Sequence, residues 1–345
     1  MTKMESCAEH PPPFDTLPDE LMAAVLSCLP CVDLCQRAIR VCWRWNRIAN
    51  DPTALGRALC TLSPRPRGKR RRAEAYAMAA RAGHVPCLAR LGESTRHRWR
   101  DGKCLAEAAE RGHLDCLQYA HKHGCPWHPY VCEMAEAHGR VDCLRYAHER
   151  GAKWRGYCND AAGGGHLDVL RYAKEKGLTH DLDVCWQAAG NGHLDVLRYA
   201  VTNGWRMCVG TLFSAARHGH LDCLRYLHEV RGNGMIVTPC LGAAAGGHLD
   251  CLRYAHEHKY SWVSDVTRMA AKGGHIDCLR YAHEHGCPWH LRTCITAAKR
   301  GRLDCLRYAH ENGCPWGTAT CAHMEAVGAD PACVQYARDH GCPPE

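Results

Sequence analysis

Cysteine and histidine are the residues of this chain whose types and spacing could support chemistry. The 345 residues include 26 Cys and 25 His, and both side chains bind zinc and related metals where three or four of them converge. A metal ligand cannot be exchanged for an apolar residue, so each recurring position can be tested along the chain. One recurring position reads Cys116, Cys143, Val169, Val196, Cys223, Cys251, Cys278 and Cys305. The exchange of Cys for Val predicts a small buried apolar side chain rather than a metal ligand.

Histidine recurs at two further positions, and neither position keeps a metal ligand in every copy. The first reads His113, Arg140, His166, His193, His220, His248, His275 and Arg302. The second reads His121, His148, Lys174, Val201, His228, His256, His283 and His310. Replacement by Arg indicates hydrogen bonds or surface contacts between neighbouring repeats, and the second position varies more. We therefore predict no metal site and no cofactor.

The motifs that would indicate an enzyme are missing from the sequence. Cys28 and Cys31 form a Cys-x-x-Cys, but a zinc site needs a second such pair and a redox motif needs a βαβ context. The chain contains no Gly-x-Gly-x-x-Gly after a strand pattern, no P-loop, no Gly-x-Ser-x-Gly and no His-Glu-x-x-His. We therefore expect a protein that is not an enzyme and has no catalytic residues.

The composition is that of an ordinary soluble protein. Hydrophobic residues make up 46% and charged residues 23%, with a mean hydropathy of −0.39. No run of eighteen apolar residues predicts a membrane span, and residues 1–7 lack the apolar core of a secretory signal. We expect an intracellular chain, in the cytoplasm or the nucleus, with no membrane partner and with reduced thiols.

An internal repeat must position these residues. The pattern Gly-His-Leu-Asp-Cys-Leu-Arg-Tyr recurs with a mean spacing of about 27 residues, a period typical of solenoids. Its Asp falls at Asp115, Asp142, Asp168, Asp195, Asp222, Asp250, Asp277 and Asp304. With one degenerate copy before these and another after them, about ten repeats run from near residue 73 to the end.

Each repeat predicts two short helices joined at a glycine. The first helix ends in paired alanines such as Ala188 and Ala189, and the glycine that follows, such as Gly192, supplies the positive φ of a helix C-cap. The second helix begins with the Asp, which suits the positive end of a helix dipole. We expect the Arg three residues later, as at Arg145, Arg171 or Arg198, to pair with that Asp. Helices this short bury little alone, so each repeat should be stable only when stacked.

The segment Ala-Ala-x-x-Gly-His-Leu-Asp-Cys-Leu-x-Tyr resembles the core of an ankyrin repeat. The resemblance implies an all-α solenoid of antiparallel helix pairs that binds a target protein. The repeat is about six residues shorter than the usual ankyrin unit and lacks its Thr-Pro-Leu-His opening, so we expect short or missing β-turn fingers. Repeats that end in Gly-Cys-Pro-Trp, as at 124–127, 286–289 and 313–316, resemble those of large DNA viruses of amoebae. That likeness implies a viral protein that interacts with its host.

A tryptophan follows the closing glycine of several repeats. It occurs at Trp127, Trp154, Trp262, Trp289 and Trp316, where we expect packing between neighbouring loops. The residues just beyond it vary strongly, and in ankyrin stacks this region leads into the recognition surface. Because aromatic and Arg side chains are favoured interface anchors, the candidate target-binding residues are Tyr130, Arg155, Tyr157, His290 and Arg292.

Three short predicted helices precede the repeats. Their apolar pattern combines Leu-Pro-Asp-Glu-Leu at 17–21, Val-Leu-x-x-Leu at 25–29, Asp-Leu at 33–34, Val-Cys-x-x-Trp at 41–45 and Asp-Pro at 51–52. Some forty residues are at the lower limit of an independent domain, and such a unit often depends on a partner to cover its apolar face. The segment is therefore interpreted as a docking module. The alternative is a set of helices that only caps the repeat stack.

The joint spacing of these elements resembles an F-box over residues 14–55. The resemblance implies binding to a Skp-type adaptor, which links an F-box protein to a cullin-RING ubiquitin ligase. The matching positions, which face either the adaptor or the core of the F-box, are Leu17, Pro18, Leu21, Val25, Leu26, Leu29, Leu34, Val41, Cys42 and Trp45. The predicted domains are then an F-box-like domain at 14–55, a basic linker at 56–72 and a repeat domain at 73–345.

A basic run separates the two predicted domains. Seven bases and no acid lie between Gly56 and Ala73, so most of the net charge of +8 belongs to this run. Its dense part consists of Arg65, Arg67, Lys69, Arg70, Arg71 and Arg72. Three interpretations stay open, which are a solvated linker, a nuclear-import signal and an electrostatic contact with nucleic acid.

Together these features predict a bipartite adaptor of an SCF-type ubiquitin ligase. The F-box-like domain would bind the Skp-type adaptor, and the repeats would bind an unidentified target protein. The chain would be monomeric outside that complex and would act by raising the local concentration of the target. Whether the target is degraded or the ligase is sequestered stays open. The alternatives are a plain ankyrin-like interaction scaffold and, third, a nucleic-acid-associated protein, which the small net charge outside the basic run disfavours.

Overall fold

The fold is entirely helical over the residues that the computed structural model describes. These are residues 19–27, 69–93, 99, 101–178, 183–208, 210–231, 239–315, 324–326 and 328–341. The chain divides into two compact units, Met1–Arg155 and Gly156–Glu345. Within the described ranges no strand occurs in either unit, which confirms the predicted all-α class.

The helices follow one another as short pairs. In the first unit they are α1 (Asp19–Ser27), α2 (Lys69–Arg81), α3 (Val85–Glu93), α4 (Lys103–Arg111), α5 (Leu114–Lys122), α6 (Val131–Ala137) and α7 (Val141–Glu149). In the second unit they are α8 (Asn159–Gly163), α9 (Leu167–Glu175), α10 (Val184–Asn191), α11 (Leu194–Thr202), α12 (Thr211–Arg217), α13 (Leu221–Arg231), α14 (Pro239–Gly246), α15 (Leu249–Glu257), α16 (Asp265–Gly273), α17 (Ile276–Glu284), α18 (Thr293–Lys299), α19 (Leu303–Glu311) and α20 (Pro331–Asp339). In each repeat the first helix has an even number, from α2 to α18, and the second helix is the odd-numbered helix that follows it.

Small side chains form the core between stacked first helices. Ala188 and Ala189 of α10 and Ala215 and Ala216 of α12 are fully buried, as are the other alanine pairs of this kind. In each unit the first helix of one repeat packs on the first helix of the next. Ala favours helix formation and allows close helix contact, so the predicted use of the alanine pairs is confirmed.

The glycine after each first helix has a second role besides ending the helix. Gly192 ends α10 with φ +80, and a Cβ added there would lie 2.5 Å from Nδ1 of His220 in the next repeat. Gly219 has the same φ, and its Cβ would lie 2.5 Å from Nδ1 of His248. Glycine is required here both by the left-handed backbone and by the imidazole that covers it.

The start of α2 differs from the predicted domain boundary at residue 73. This helix begins at Lys69, so the last four residues of the basic run, Lys69 to Arg72, have helical backbone rather than that of a linker. Lys and Arg are good helix formers, and the alanine-rich segment that follows extends the same helix. Arg65 and Arg67 lie outside the described residues.

Among the residues with described structure, no helix has both the length and the apolar character needed to span a membrane.

Candidate partner-binding surfaces

The recurring cysteines of the second helices are buried apolar residues. Cys116, Cys251 and Cys278 are each about 1% exposed. Burial, and then the neighbouring Asp115, raises the pKa of the Cys116 thiol to about 12, and burial likewise raises that of Cys251 to about 11. A thiol with such a pKa stays neutral and is a poor nucleophile and metal ligand at neutral pH. The predicted role of this position is confirmed.

Two further thiols meet in the first unit. Sγ of Cys104 in α4 lies 3.3 Å from Sγ of Cys125 in the loop after α5, and both side chains are buried. This pair links the first helix of a repeat to the closing loop of the same repeat. Within the described ranges, no three His, Cys, Asp or Glu side chains converge as a metal site.

The histidine after the hinge glycine binds the backbone of the preceding repeat. In the first unit Nε2 of His113 donates to the carbonyl of Arg81 at 3.2 Å. In the second unit Nε2 of His193 donates to the carbonyl of Gly163 at 2.9 Å. These carbonyls lie at the C-terminal ends of first helices, where carbonyl groups lack intrahelical partners. The predicted hydrogen bond between repeats is confirmed.

The second recurring histidine joins three aromatic side chains. Nδ1 of His121 hydrogen-bonds the hydroxyl of Tyr146 in the next repeat at 3.0 Å, and the imidazole stacks on Trp127 with ring centroids 4.4 Å apart. Trp127 in turn donates from Nε1 to the carbonyl of Arg150 at 3.2 Å. In the second unit His283, Tyr308 and Trp289 form the same arrangement. Trp127 and Trp289 therefore pack between loops, as predicted. Trp154 instead donates to Oε2 of Glu136 in its own repeat, and Trp316 lies outside the described residues. Trp99, which sequence reasoning missed, donates to the carbonyl of His123 in the next repeat.

The arginines of the second helices have two kinds of partner. Arg171 pairs with Asp168 at 3.1 Å, as predicted. The guanidinium of Arg198 instead lies over the ring of Tyr226 in the next repeat, 4.9 Å from its centroid. Arg225, Arg253, Arg280 and Arg307 lie in the same way over tyrosines of the following repeats. Among the described residues Arg198 thus has the tyrosine of the stacked neighbour as its partner in place of the predicted Asp.

Two of the loops that lead into first helices share one conformation. In the first unit the backbone N–H of Tyr130 donates to Nδ1 of His128 at 3.3 Å. In the second unit the N–H of Arg292 donates to Nδ1 of His290 at 3.0 Å. Tyr130 and Arg292 are the N-cap residues of α6 and α18. His290, a predicted target-binding residue, is thus engaged in holding its own loop.

The side chains at these loop tips point to solvent. Tyr130 in the first unit and Tyr157 in the second are each 58% exposed, and Arg155 and Arg292 are exposed as well. Leu291 is 75% exposed, and sequence reasoning missed it. An exposed leucine between His290 and Arg292 fits a contact surface, but a single apolar residue in a loop has no periodic signal that would identify it.

The described part of the predicted F-box is α1. Leu21 is 54% exposed, whereas Met22 and Ala23 are buried, so Leu21 lies on the open side of this helix. Val25 and Leu26 belong to the same helix, and their side chains lie outside the described part. The other predicted positions lie outside the described residues, namely Leu17, Pro18, Leu29, Leu34, Val41, Cys42 and Trp45.

Family models match one segment in each of the two predicted domains. The model of the F-box-like family matches residues 14–61, and that of ankyrin repeats in many copies matches residues 185–228 and 212–256. The chain carries an F-box-like region followed by ankyrin repeats. The first match covers the segment predicted to be an F-box, and the second lies within the predicted repeat domain. Trp186, Gly192 and His220 all lie within the matched ankyrin segment.

Among solved structures, the ankyrin repeat domain of human ASB11 is similar to part of the chain. It is 18% identical, covers 54% of this chain and 98% of its own length, and has a TM-score of 0.43. No curated protein matches the chain.

Proposed function

We propose that this protein is a substrate-recognition adaptor of a cullin-RING ubiquitin ligase of the SCF type. Its F-box-like region would bind a Skp-type adaptor and its ankyrin repeats would bind the target protein. The observation that carries the proposal is the match of residues 14–61 to the F-box-like family on the same chain as the ankyrin repeats. Such a protein carries out no bond chemistry itself, since holding the target beside the ligase raises its effective concentration.

The exposure of Leu21 supports an interface on α1. A leucine that is 54% exposed beside a buried Met22 and a buried Ala23 offers an apolar side chain to a partner rather than to the core. Burying a leucine side chain at an interface contributes about 1.5 to 3 kcal/mol. A charge at this position would remove that contribution and would leave an unpaired carboxylate in the contact.

The ligase role requires an intracellular chain, in the cytoplasm or the nucleus. The likeness of the Gly-Cys-Pro-Trp repeats to those of large DNA viruses of amoebae supports a role in a host cell, where a viral adaptor would redirect the ligase of its host. Outside that complex we propose a monomer.

The test is a pull-down of the full chain with a purified Skp-type adaptor. Wild type should bind, and Leu21→Asp should lose binding by at least about tenfold, since about 1.4 kcal/mol corresponds to a factor of ten. Leu291→Asp is the matched control, because it places the same charge at another exposed leucine, in the second unit. It should bind as wild type does.

Three outcomes would contradict the proposal. Absence of binding by wild type would leave an interaction scaffold. Equal binding by wild type and Leu21→Asp would exclude α1 from the interface, and equal loss in both variants would indicate a general effect of the added charge.

A further inference from the structure

In four consecutive repeats of the second unit, the first and second helices differ in charge. The first helices α12, α14, α16 and α18 contain four bases and one acid, which are Arg217, Arg268, Lys272, Lys299 and Asp265. The second helices α13, α15, α17 and α19 contain eight acids and five bases. The first-helix row is therefore positive and the second-helix row is negative, with histidine counted as neutral.

Most of the positive charge on the first helices is unpaired. Arg268 binds the carboxylate of Asp265 at 2.6 Å, so this pair cancels. Arg217, Lys272 and Lys299 make no ion pair with any residue that the structure describes, and Arg217 and Lys299 are exposed. Unpaired cations that recur on stacked helices produce a local field that attracts a negatively charged partner.

An apolar stripe runs beside these cations. It occupies the position two residues before each alanine pair and consists of Trp186, Phe213, Leu241 and Ile295, with Arg268 between the last two. Trp186 is 37% exposed, and the other three are half-buried. Because α10, α12, α14, α16 and α18 pack one on the next, these side chains lie on one continuous face, which we call the first-helix face.

We propose that the first-helix face binds an acidic segment of the target protein that carries regularly spaced apolar side chains. The proposal rests on the function proposed above, in which the repeats carry the target, and it adds the chemistry of that target. Carboxylates would pair with Arg217, Lys272 and Lys299, and Trp186 would be the anchor, since tryptophan is prominent among binding hot spots.

The spacing of the helices sets the spacing of the apolar residues. Packed helices lie about 8 to 10 Å apart, and a chain in the polyproline II conformation advances about 3.1 Å per residue with three residues per turn. A segment that crosses the helices therefore presents about every third side chain to the apolar stripe. The residues between them are free to reach the cations.

A nucleic acid fits this face less well. Single strands bind by stacking their bases on aromatic rings, and Leu241 and Ile295 offer no aromatic ring. One face of the Phe213 ring is already covered by Arg217, whose guanidinium lies 6.0 Å from the ring centroid. The face thus matches apolar side chains better than bases.

The experiment measures binding of a labelled synthetic peptide to the full chain by fluorescence anisotropy. The probe has twelve residues, four copies of Glu-Glu-Leu, and the comparison probes are four copies of Lys-Lys-Leu and a single strand of twelve thymidines. The Glu-Glu-Leu peptide should bind, and the other two should bind at least about tenfold more weakly.

Two pairs of substitutions test the location. Lys272→Gln with Lys299→Gln removes two charges from the first-helix face and should raise the Kd of the Glu-Glu-Leu peptide at least about threefold. Arg253→Gln with Arg280→Gln removes two charges from the second helices of neighbouring repeats and should leave Kd within about twofold. Trp186→Ala should weaken binding about tenfold or more.

Several outcomes would overturn the inference. These are no binding of the acidic peptide, tighter binding of the thymidine strand, and equal effects of the two double substitutions. The adaptor pull-down on the same preparations separates the two proposals. Adaptor binding without peptide binding overturns this inference alone, whereas peptide binding without adaptor binding overturns the ligase role alone.

Discussion

At the scale of single residues, burial decides what the cysteines and histidines do. The Cys116 thiol keeps its proton because it is buried. The imidazole of His121 is uncharged at neutral pH, because burial and then the charge of Arg150 lower its pKa. Residue types that bind metals elsewhere therefore act here as a small apolar residue and as a hydrogen-bonding ring. The hydrogen bonds of the histidines join neighbouring repeats.

Because of its buried thiols, the folded protein should become less stable at alkaline pH. A cysteine ionises near pH 9 in the unfolded chain, but burial raises the pKa of Cys116 and Cys278 to about 12 and of Cys251 to about 11. Between about pH 9 and pH 11 the unfolded state loses protons that the folded state keeps, so the free energy of unfolding falls as pH rises.

We expect the triple variant Cys116→Val, Cys251→Val and Cys278→Val to lose less stability than wild type over this interval. Valine already occupies the position at Val169 and Val196, so the replacement should fit. Urea unfolding at about pH 8 and about pH 10.5 measures the difference. An equal loss in both proteins would show that these thiols do not contribute.

What the sequence could predict at this scale depended on comparison between repeats. The role of Cys116 followed from its exchange for Val169, and the hydrogen bond of His113 from its exchange for Arg140. The contact of Arg198 with the Tyr226 ring could not be predicted, because this tyrosine belongs to another repeat. The distance between the stacked repeats decides whether Arg198 contacts that ring or Asp195. The exposure of Leu291 depends likewise on the conformation of one loop.

At the scale of elements, the hinge between two helices is the point where repeats are joined. Gly192 ends α10, and the imidazole of His220 covers it from the next repeat. Gly204 closes the second helix of the same repeat with a similar φ of +85, yet nothing lies within 4 Å of an added Cβ. The two glycines share a backbone conformation and differ in what surrounds them.

This pair gives a matched test of the hinge contact. Gly204→Ala should reduce the free energy of unfolding by about 1 kcal/mol, from backbone strain alone. Gly192→Ala should reduce it by at least about 1 kcal/mol more, because the new methyl group displaces the imidazole of His220 and breaks its hydrogen bond to the backbone of Gly190. Urea unfolding of the two variants measures both values.

A second variant separates strain from the clash. In the double variant Gly192→Ala with His220→Ala, the methyl group no longer meets the ring, so the two losses should not add. Additive losses would show that the close approach of His220 does not matter at Gly192.

At the scale of the whole molecule, the sequence predicts the arrangement of the repeats more completely than it predicts where each helix begins and ends. The period, the alanine pairs and the hinge glycines predicted stacked helix pairs, because each is a local requirement repeated in every copy. The start of α2 at Lys69 rather than at residue 73 depends on how far a helix extends beyond its last packed turn. Basic residues allow that extension without requiring it.

Removal of one whole repeat should leave a folded protein. Deletion of residues 249–275 joins His248 to Ile276, so the pattern Gly-His-Ile-Asp-Cys-Leu continues without a break. Because each repeat contacts mainly its neighbours, the shortened chain should unfold cooperatively, with a urea m-value about a tenth smaller. Circular dichroism during urea unfolding measures this value.

The control deletion removes residues 249–262 and thus one second helix with its loop. It leaves α14 and α16 as adjacent first helices without the second helix that covers them, so this chain should aggregate or lose helical signal. Equal behaviour of the two deletions would show that the whole repeat is not the structural unit.

The stacked rings give the protein an optical property. His121 lies against Trp127 with centroids 4.4 Å apart, and His256 lies against Trp262 at 4.7 Å. A protonated imidazole in contact with an indole quenches its fluorescence far more strongly than a neutral one does. Burial lowers the pKa of both histidines from its usual value of 6.5, so we expect these tryptophans to emit at neutral pH and to be quenched only in more acidic solution. Loss of this quenching by acid would therefore indicate, without any added dye, that the loops between repeats have moved.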